Sequence, residues 1–165
     1  MSLSKRILIF GNSGSGKSTL AKTLSETYQL PVLDLDTVSW AKDQPTERLT
    51  HKESTRLISA FIDQNADWII EGCYGSLISF VTEYCDEMIF LNPGTEQCLK
   101  NNLSRPWEPH KYPSIEAQNS NLAMLQNWVR QYDARDDEYS LSSHRKVFDE
   151  YQGKKVEYSQ LSDVP

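Results

Sequence analysis

The residues best suited to chemistry lie in one run near the start of the chain, Gly11-Asn12-Ser13-Gly14-Ser15-Gly16-Lys17-Ser18-Thr19. The run fits the spacing G-x-x-x-x-G-K-[ST]. Glycines let successive backbone N–H groups point into one concavity, and those amides, with the positive end of a following helix, bind a diphosphate or triphosphate. Lys17 then reaches the outer phosphates, and the Ser18 hydroxyl is a ligand for Mg²⁺. Ordinary residue frequencies give such a match on the order of 0.005 times in a chain of this length. Coincidence is therefore a poor account of it. The hydrolase pattern G-x-S-x-G fails here at its fifth position, Ser15.

Two acidic sites follow. Asp34-Leu35-Asp36 closes a short apolar run. If that run is a parallel strand, the ligand crevice lies beyond its carboxyl end. Residues i and i+2 of a strand share a side, so both carboxylates face the crevice. One is suited to hold Mg²⁺ or its water (Asp34), the other to accept a hydroxyl proton (Asp36). Glu71, at the end of another apolar run, is a second candidate for the magnesium shell. Trp40 and Tyr74 follow these acids and are candidates to line an acceptor pocket.

Moving a phosphoryl group needs positive charge around it. Four of the seven arginines, Arg105, Arg130, Arg135 and Arg145, come late in the chain. The stretch 105–113 holds three prolines, which forbid a helix, and a helix bearing Arg130 follows. This reads as a lid over the phosphates, with Arg130 and Arg135 as candidate catalytic cations and Arg105 as a candidate substrate contact. His51, His110 and His144 show no ligand spacing and read as surface residues. Trp128 reads as core.

These residues need elements to position them. Ile7–Phe10 is apolar without alternation, the mark of a strand buried on both faces. Pro31–Leu35 reads as a second short strand, Trp68–Ile70 and Met88–Leu91 as a third and a fourth, and Lys154–Ser159 is a candidate last strand. Helical spacing runs over Lys17–Tyr28, His51–Gln64, about 76–84 and 95–104. It returns after Ser114 through Leu122, Leu125, Val129 and Tyr132, and again from Ser140 or Ser142 to Tyr151, with Gly153 as terminator. Residues 41–50, with Pro45, read as loop. Strands alternating with helices predict a parallel α/β sheet covered on both faces.

The chain has 165 residues, 38% hydrophobic and 24% charged, with a formal net charge of −6. That length fits one domain over residues 1–165, with the lid near 105–113. An acidic chain with no basic tail disfavours nucleic acid as a partner. No apolar run approaches the roughly 20 residues that cross a bilayer, and Met1–Arg6 leads into no signal-peptide core. Three cysteines, an odd count without C-x-x-C spacing, fit a reducing cytoplasm rather than a disulfide framework.

The Gly11–Thr19 loop, Asp34-Leu35-Asp36, Glu71-Gly72 and the Pro-rich stretch before a basic helix together resemble the small P-loop kinases: adenylate, shikimate and gluconate kinases. The stretches "LPVLDLDTVSW", "WIIEGCYGS" and "MIFLNP" look most like the adenylate-kinase-like DNA topology modulation proteins. The resemblance covers about residues 5–104. It implies a five-stranded parallel sheet in the order 2-3-1-4-5, ATP with Mg²⁺, and transfer of the γ-phosphate to a small acceptor. Adenylate kinases carry an arginine after the third strand. Here the run is Gly72-Cys73-Tyr74-Gly75, without a cation, which points to a hydroxyl acceptor rather than a nucleoside monophosphate. A nucleoside monophosphate kinase and a non-catalytic ATP-binding regulatory protein are the alternatives. A GTPase is disfavoured, since no N-K-x-D segment is present.

Overall fold

The structure is a computed structural model that describes residues 4–43 and 46–165. The readings of Met1–Leu3 and of Pro45 lie outside the described residues. Five strands, β1 (Arg6–Gly11), β2 (Val32–Asp34), β3 (Trp68–Gly72), β4 (Glu87–Leu91) and β5 (Lys154–Tyr158), form one parallel sheet in the order β2-β3-β1-β4-β5. The helices are α1 (Lys17–Tyr28), α2 (His51–Gln64), α3 (Gly75–Val81), α4 (Thr95–Leu103), α5 (Ile115–Arg130) and α6 (Leu141–Glu150). The expected architecture and strand order are those observed.

The apolar run of β1 explains the layering. Leu8 and Phe10 face one side, where they pack with Ile58 of α2 and with Leu77, Ile78 and Val81 of α3. Val147 and Phe148 of α6 close that layer. Ile7 and Ile9 face the other side, against Leu20 and Ala21 of α1. Alternate residues of one strand thus feed two cores, and neither face can carry polar residues. Phe10 stacks on Phe90 of β4 at a centroid separation of 5.0 Å. Trp68 is fully buried in the first core. Among the described residues, no helix is long and apolar enough to cross a membrane.

Several helix starts follow their capping residues. Thr50 and Glu53 form a reciprocal capping box on α2, Ser114 caps α5 through Ala117 N–H, and Ser140 caps α6 through Ser143 N–H. Other boundaries differ from expectation. α6 ends in the extended backbone of Tyr151, so Gly153 is no left-handed terminator. A Cβ there would lie 2.4 Å from the Tyr151 hydroxyl, and close approach is what the glycine permits. α5 stops at Arg130, which leaves Tyr132 in the following turn, and α3 is shorter than its pattern.

The most consequential difference is at β2. The strand ends at Asp34, and a 3-10 turn over Leu35–Val38 takes over because the Asp34 carboxylate accepts the Asp36 N–H at 2.9 Å. Asp36 is therefore not on the strand, and alternation along a strand is not what aims it. The three histidines are not all on the surface either. His144 is buried, with Nδ1 2.7 Å from the Tyr132 hydroxyl and Nε2 2.8 Å from the Cys73 carbonyl. Burial pushes its pKa down to about 4. All three cysteines are free.

Candidate active site

The phosphate loop joins β1 to α1, and its shape depends on glycine at two points. Gly14 sits at φ +83°, and a Cβ there would lie 2.4 Å from the Cys98 carbonyl of α4. Gly16 sits at φ +98° as the N-cap of α1, without a side chain to obstruct the helix's free N–H groups. Ser15 N–H closes the turn on the Asn12 carbonyl at 3.1 Å. From outside, Asn101 Nδ2 donates to the Gly14 carbonyl at 2.7 Å and Asn102 Nδ2 to Ser13 at 3.4 Å. Asn12 Nδ2 in turn donates to the Val129 carbonyl of α5 at 3.4 Å. These bonds turn loop carbonyls away from the concavity. Lys17 is buried and donates Nζ to the Asn12 carbonyl at 2.7 Å. Thr19 is exposed on α1.

The loop fits a polyphosphate with its metal. The glycine cradle would be filled by side chains, and Ser15 Oγ is buried without a partner among the described residues. Ser18 Oγ donates to Glu71 Oε1 at 3.2 Å, which brings two of the three expected magnesium ligands together. Asp34, the third, is in register with Glu71 across β2 and β3. Among the described residues no three His, Cys, Asp or Glu side chains close on one point. One or two protein groups with phosphate oxygens are what Mg²⁺ ordinarily takes.

Burial pushes the Glu71 carboxyl up to about 7, with the Asp34 charge adding to the shift and Lys17 opposing it. Asp34 is raised as well, first by burial and then by Asp36. Asp36 goes the other way. Burial works against its charge, but the Lys111 ammonium and the hydrogen bonds from Lys111 and Tyr74 outweigh it and hold the carboxyl below its ordinary value.

Lys111 is the residue that sequence reasoning missed. It comes from the Pro-rich stretch 105–113, and its Nζ lies 2.7 Å from Asp36 Oδ2, 3.5 Å from Asp34 Oδ2 and 3.6 Å from Glu108 Oε1. The three-proline stretch is non-helical, as expected, and it crosses the acid pair. Trp107 Nε1 donates to the Tyr112 carbonyl at 3.0 Å, and Gln118 of α5 bonds both Glu108 N–H and the Pro106 carbonyl. His110 Nε2 is 3.9 Å from Asp34. The only available signal was a lysine among prolines.

Tyr74 donates its hydroxyl to Asp36 and receives Trp40 Nε1–H at 3.0 Å. Both aromatics expected at the acceptor side are thus joined to Asp36. The cations are less uniform. Arg105 pairs with Glu108 at 3.6 Å within the lid. Arg135 stacks over Trp128 at 4.3 Å and donates Nη1 to the Trp128 carbonyl at 2.6 Å. Its Nε lies 3.1 Å from Asp137, and Nη2 is buried without a partner among the described residues. Trp128 is half-buried rather than core. Arg130 is exposed at the end of α5, with no ion pair or side-chain hydrogen bond among the described residues, and is not brought to these groups. Arg145 makes two bonds to Glu157 of β5, at 2.7 and 2.8 Å, which join α6 to the sheet.

The family described as ABC transporter matches residues 1–148. No curated protein matches the chain. Among solved structures, an unliganded sugar kinase from Janibacter sp. HTCC2649 superposes with a TM-score of 0.53 at 16% identity, covering 94% of this chain and 85% of its own. The shikimate kinase from Bacteroides thetaiotaomicron superposes with a TM-score of 0.58 at 15% identity, covering 96% and 89%. Both similarities are similarities of fold.

Proposed function

Because the chain belongs to the P-loop family described as ABC transporter and shares its fold with two small kinases, we propose that it is an ATP-dependent kinase acting on a small-molecule acceptor. The phosphate loop accounts for the nucleotide. The observation that carries the reaction is Asp36: a half-buried carboxylate kept ionised by Lys111 and Tyr74 just beyond the end of β2. A protein that only senses nucleotide has no need of such a base or of a lid across it. The DNA topology modulation likeness belongs to this reading as a resemblance of sequence alone.

Magnesium-bound ATP supplies the γ-phosphoryl group that the acceptor oxygen takes up as ADP leaves. The loop amides and Lys17 would hold the phosphates, and Ser18 with Glu71 and Asp34 would hold the metal, which would neutralise phosphate charge. Asp36 accepts the proton of the acceptor hydroxyl at Oδ2, where the Lys111 ammonium now sits. Lys111 therefore withdraws as the acceptor enters. Tyr74 fixes the Asp36 carboxylate by occupying its other oxygen. Of the two catalytic arginine candidates, Arg135 has a donor to spare, since its buried Nη2 has no partner among the described residues. Trp40 and Tyr74 line the acceptor side, with Arg105 one residue pair behind.

A nucleoside monophosphate is the second reading. The β3 turn lacks a cation, but the fold brings Lys111 and Arg48 to the acceptor side from elsewhere. The deciding experiment is a screen of hydroxyl and phosphate acceptors for ADP release, with Lys17→Ala as control. Acceptor-dependent ADP release that the control lacks is the expected result. Nucleotide binding without release for any acceptor would favour the regulatory alternative.

A further inference from the structure

His144 is a buried polar group to which the phosphoryl transfer gives no task. Its ring lies in the first core, edge-on to Phe10 at 5.6 Å and to Phe90 at 6.2 Å. An imidazole among such groups costs free energy unless both nitrogens are bonded, and an apolar side chain would fill the same space without that cost. Both nitrogens are bonded here, and the partners set their roles. The Cys73 carbonyl can only accept, so Nε2 carries the hydrogen. Burial keeps the ring neutral, which leaves Nδ1 to accept from the Tyr132 hydroxyl. Tyr132 is itself buried and holds the ring in that tautomer.

The bond to Cys73 falls where the sheet lets go of β3. The ladder ends at Gly72, so among the described residues no neighbouring strand holds the Cys73 carbonyl, and Tyr74 follows at once. The stretch from the end of α5 into α6 holds this turn instead. His144 takes the Cys73 carbonyl, the Glu138 carbonyl accepts the Gly75 N–H at 3.1 Å, and Tyr139 meets the Tyr74 ring edge-on at 5.4 Å. Of these contacts, the His144 bond acts on the peptide unit that joins Cys73 to Tyr74. The Tyr74 hydroxyl then donates to Asp36 and accepts Trp40 Nε1–H at 3.0 Å.

Resting on the kinase reading, we infer that His144 is a positioning residue for the acceptor side. By holding the Cys73–Tyr74 peptide it sets where the Tyr74 hydroxyl meets Asp36. It is sealed from solvent, so its effect reaches the reaction only through Tyr74.

Asparagine and glutamine separate its two bonds. Both replace the ring by an amide and forfeit the same aromatic packing. His144→Gln reaches as far as Nε2 and keeps a donor for the Cys73 carbonyl. His144→Asn reaches only Nδ1 and keeps the Tyr132 contact alone. Two readouts are taken on the full chain. One is the nitrogen–proton resonance of the Trp40 indole, assigned by its loss in Trp40→Phe, which follows the Tyr74 hydroxyl without any turnover. The other is kcat and KM with Mg²⁺ and ATP over the same panel of hydroxyl and phosphate acceptors. In His144→Asn the Trp40 resonance should move and kcat should fall by roughly 10- to 100-fold, with KM for ATP unchanged, as displacement of the site by about 1 Å would produce. His144→Gln should keep the wild-type resonance and most of kcat. Tyr132→Phe removes one hydroxyl, leaves the core filled and should fall between the two, so it decides the matter where His144→Asn does not fold. Equal losses in His144→Asn and His144→Gln overturn the inference and leave the kinase intact. So does a Trp40 resonance that neither His144→Asn nor Tyr132→Phe moves. A wild type that turns over no acceptor overturns the kinase reading and this inference together.

Discussion

Asp36 is a half-buried carboxylate and Glu71 a buried one, and their surroundings push them in opposite directions. Asp36→Asn removes the proton acceptor, so turnover with an acceptor found by screening should fall by roughly 10²–10⁴. Nucleotide binding should persist, because the phosphates are held by the loop; titration calorimetry with ADP checks this. Glu71 gives a pH signature. Its folded value is near 7 against an ordinary 4.5. The folded state holds a proton that the unfolded chain releases between those values, so this group's contribution to stability falls as pH rises from about 4.5 to about 7. Glu71→Gln should therefore raise Tm relative to wild type at pH 8 and leave it unchanged near pH 4. A constant difference across that range would deny Glu71 its raised pKa. His144 acts in the opposite sense, losing stability as pH falls from 6.5 toward 4, so the comparison must be wild type against variant. At this scale residue types were legible in the sequence and partners were not. The loop, Asp34, Asp36 and Glu71 announce their chemistry by type and spacing. Nothing local to Lys111 or Arg48 says which distant carboxylate or ring each will meet.

Elements were legible where one physical signal dominated. α1 and α2 begin and end where their apolar spacing and caps place them. β2 was misjudged because a side-chain hydrogen bond from Asp34 competes with the strand ladder. That competition depends on a single rotamer and leaves no periodic trace. The non-helical stretch 105–113 was legible through its prolines, though the contact of its Lys111 with Asp34 and Asp36 was not. Its attachment to the site rests on the partly buried ion pairs of Lys111, whereas the helix before it is tied to the phosphate loop by Asn101 and Asn102. Hydrogen exchange should show the consequence. Amides of 105–113 and the first turn of α5 should exchange rapidly in the free protein and slow with ADP and aluminium fluoride. Protection confined to residues 11–19 would remove the lid from the reaction.

For the whole molecule, parallel order and two-sided burial bring Ser18, Asp34 and Glu71 together, with Asp36 just beyond the end of β2. The doubly buried strands were readable as such; their order came from resemblance, since no local pattern says which strand lies beside which. A ligand that bridges the loop, β3 and the lid couples these parts. At about 100 times its dissociation constant, nucleotide should add roughly 2.7 kcal/mol. In a chain of this size that is roughly a 5–10 °C rise in Tm by calorimetry, and Lys17→Ala should abolish most of it. Trp107 has a use at this scale too. It is half-exposed on the lid and tethered to its own segment through Nε1, whereas Trp68 is sealed in the core. The two indoles are natural fluorophores of unlike environment: iodide should quench Trp107, together with the exposed Trp40, and spare Trp68. The quenching lost in Trp107→Phe is then the optical signal of the 105–113 segment, and stopped-flow comparison with wild type would time its motion.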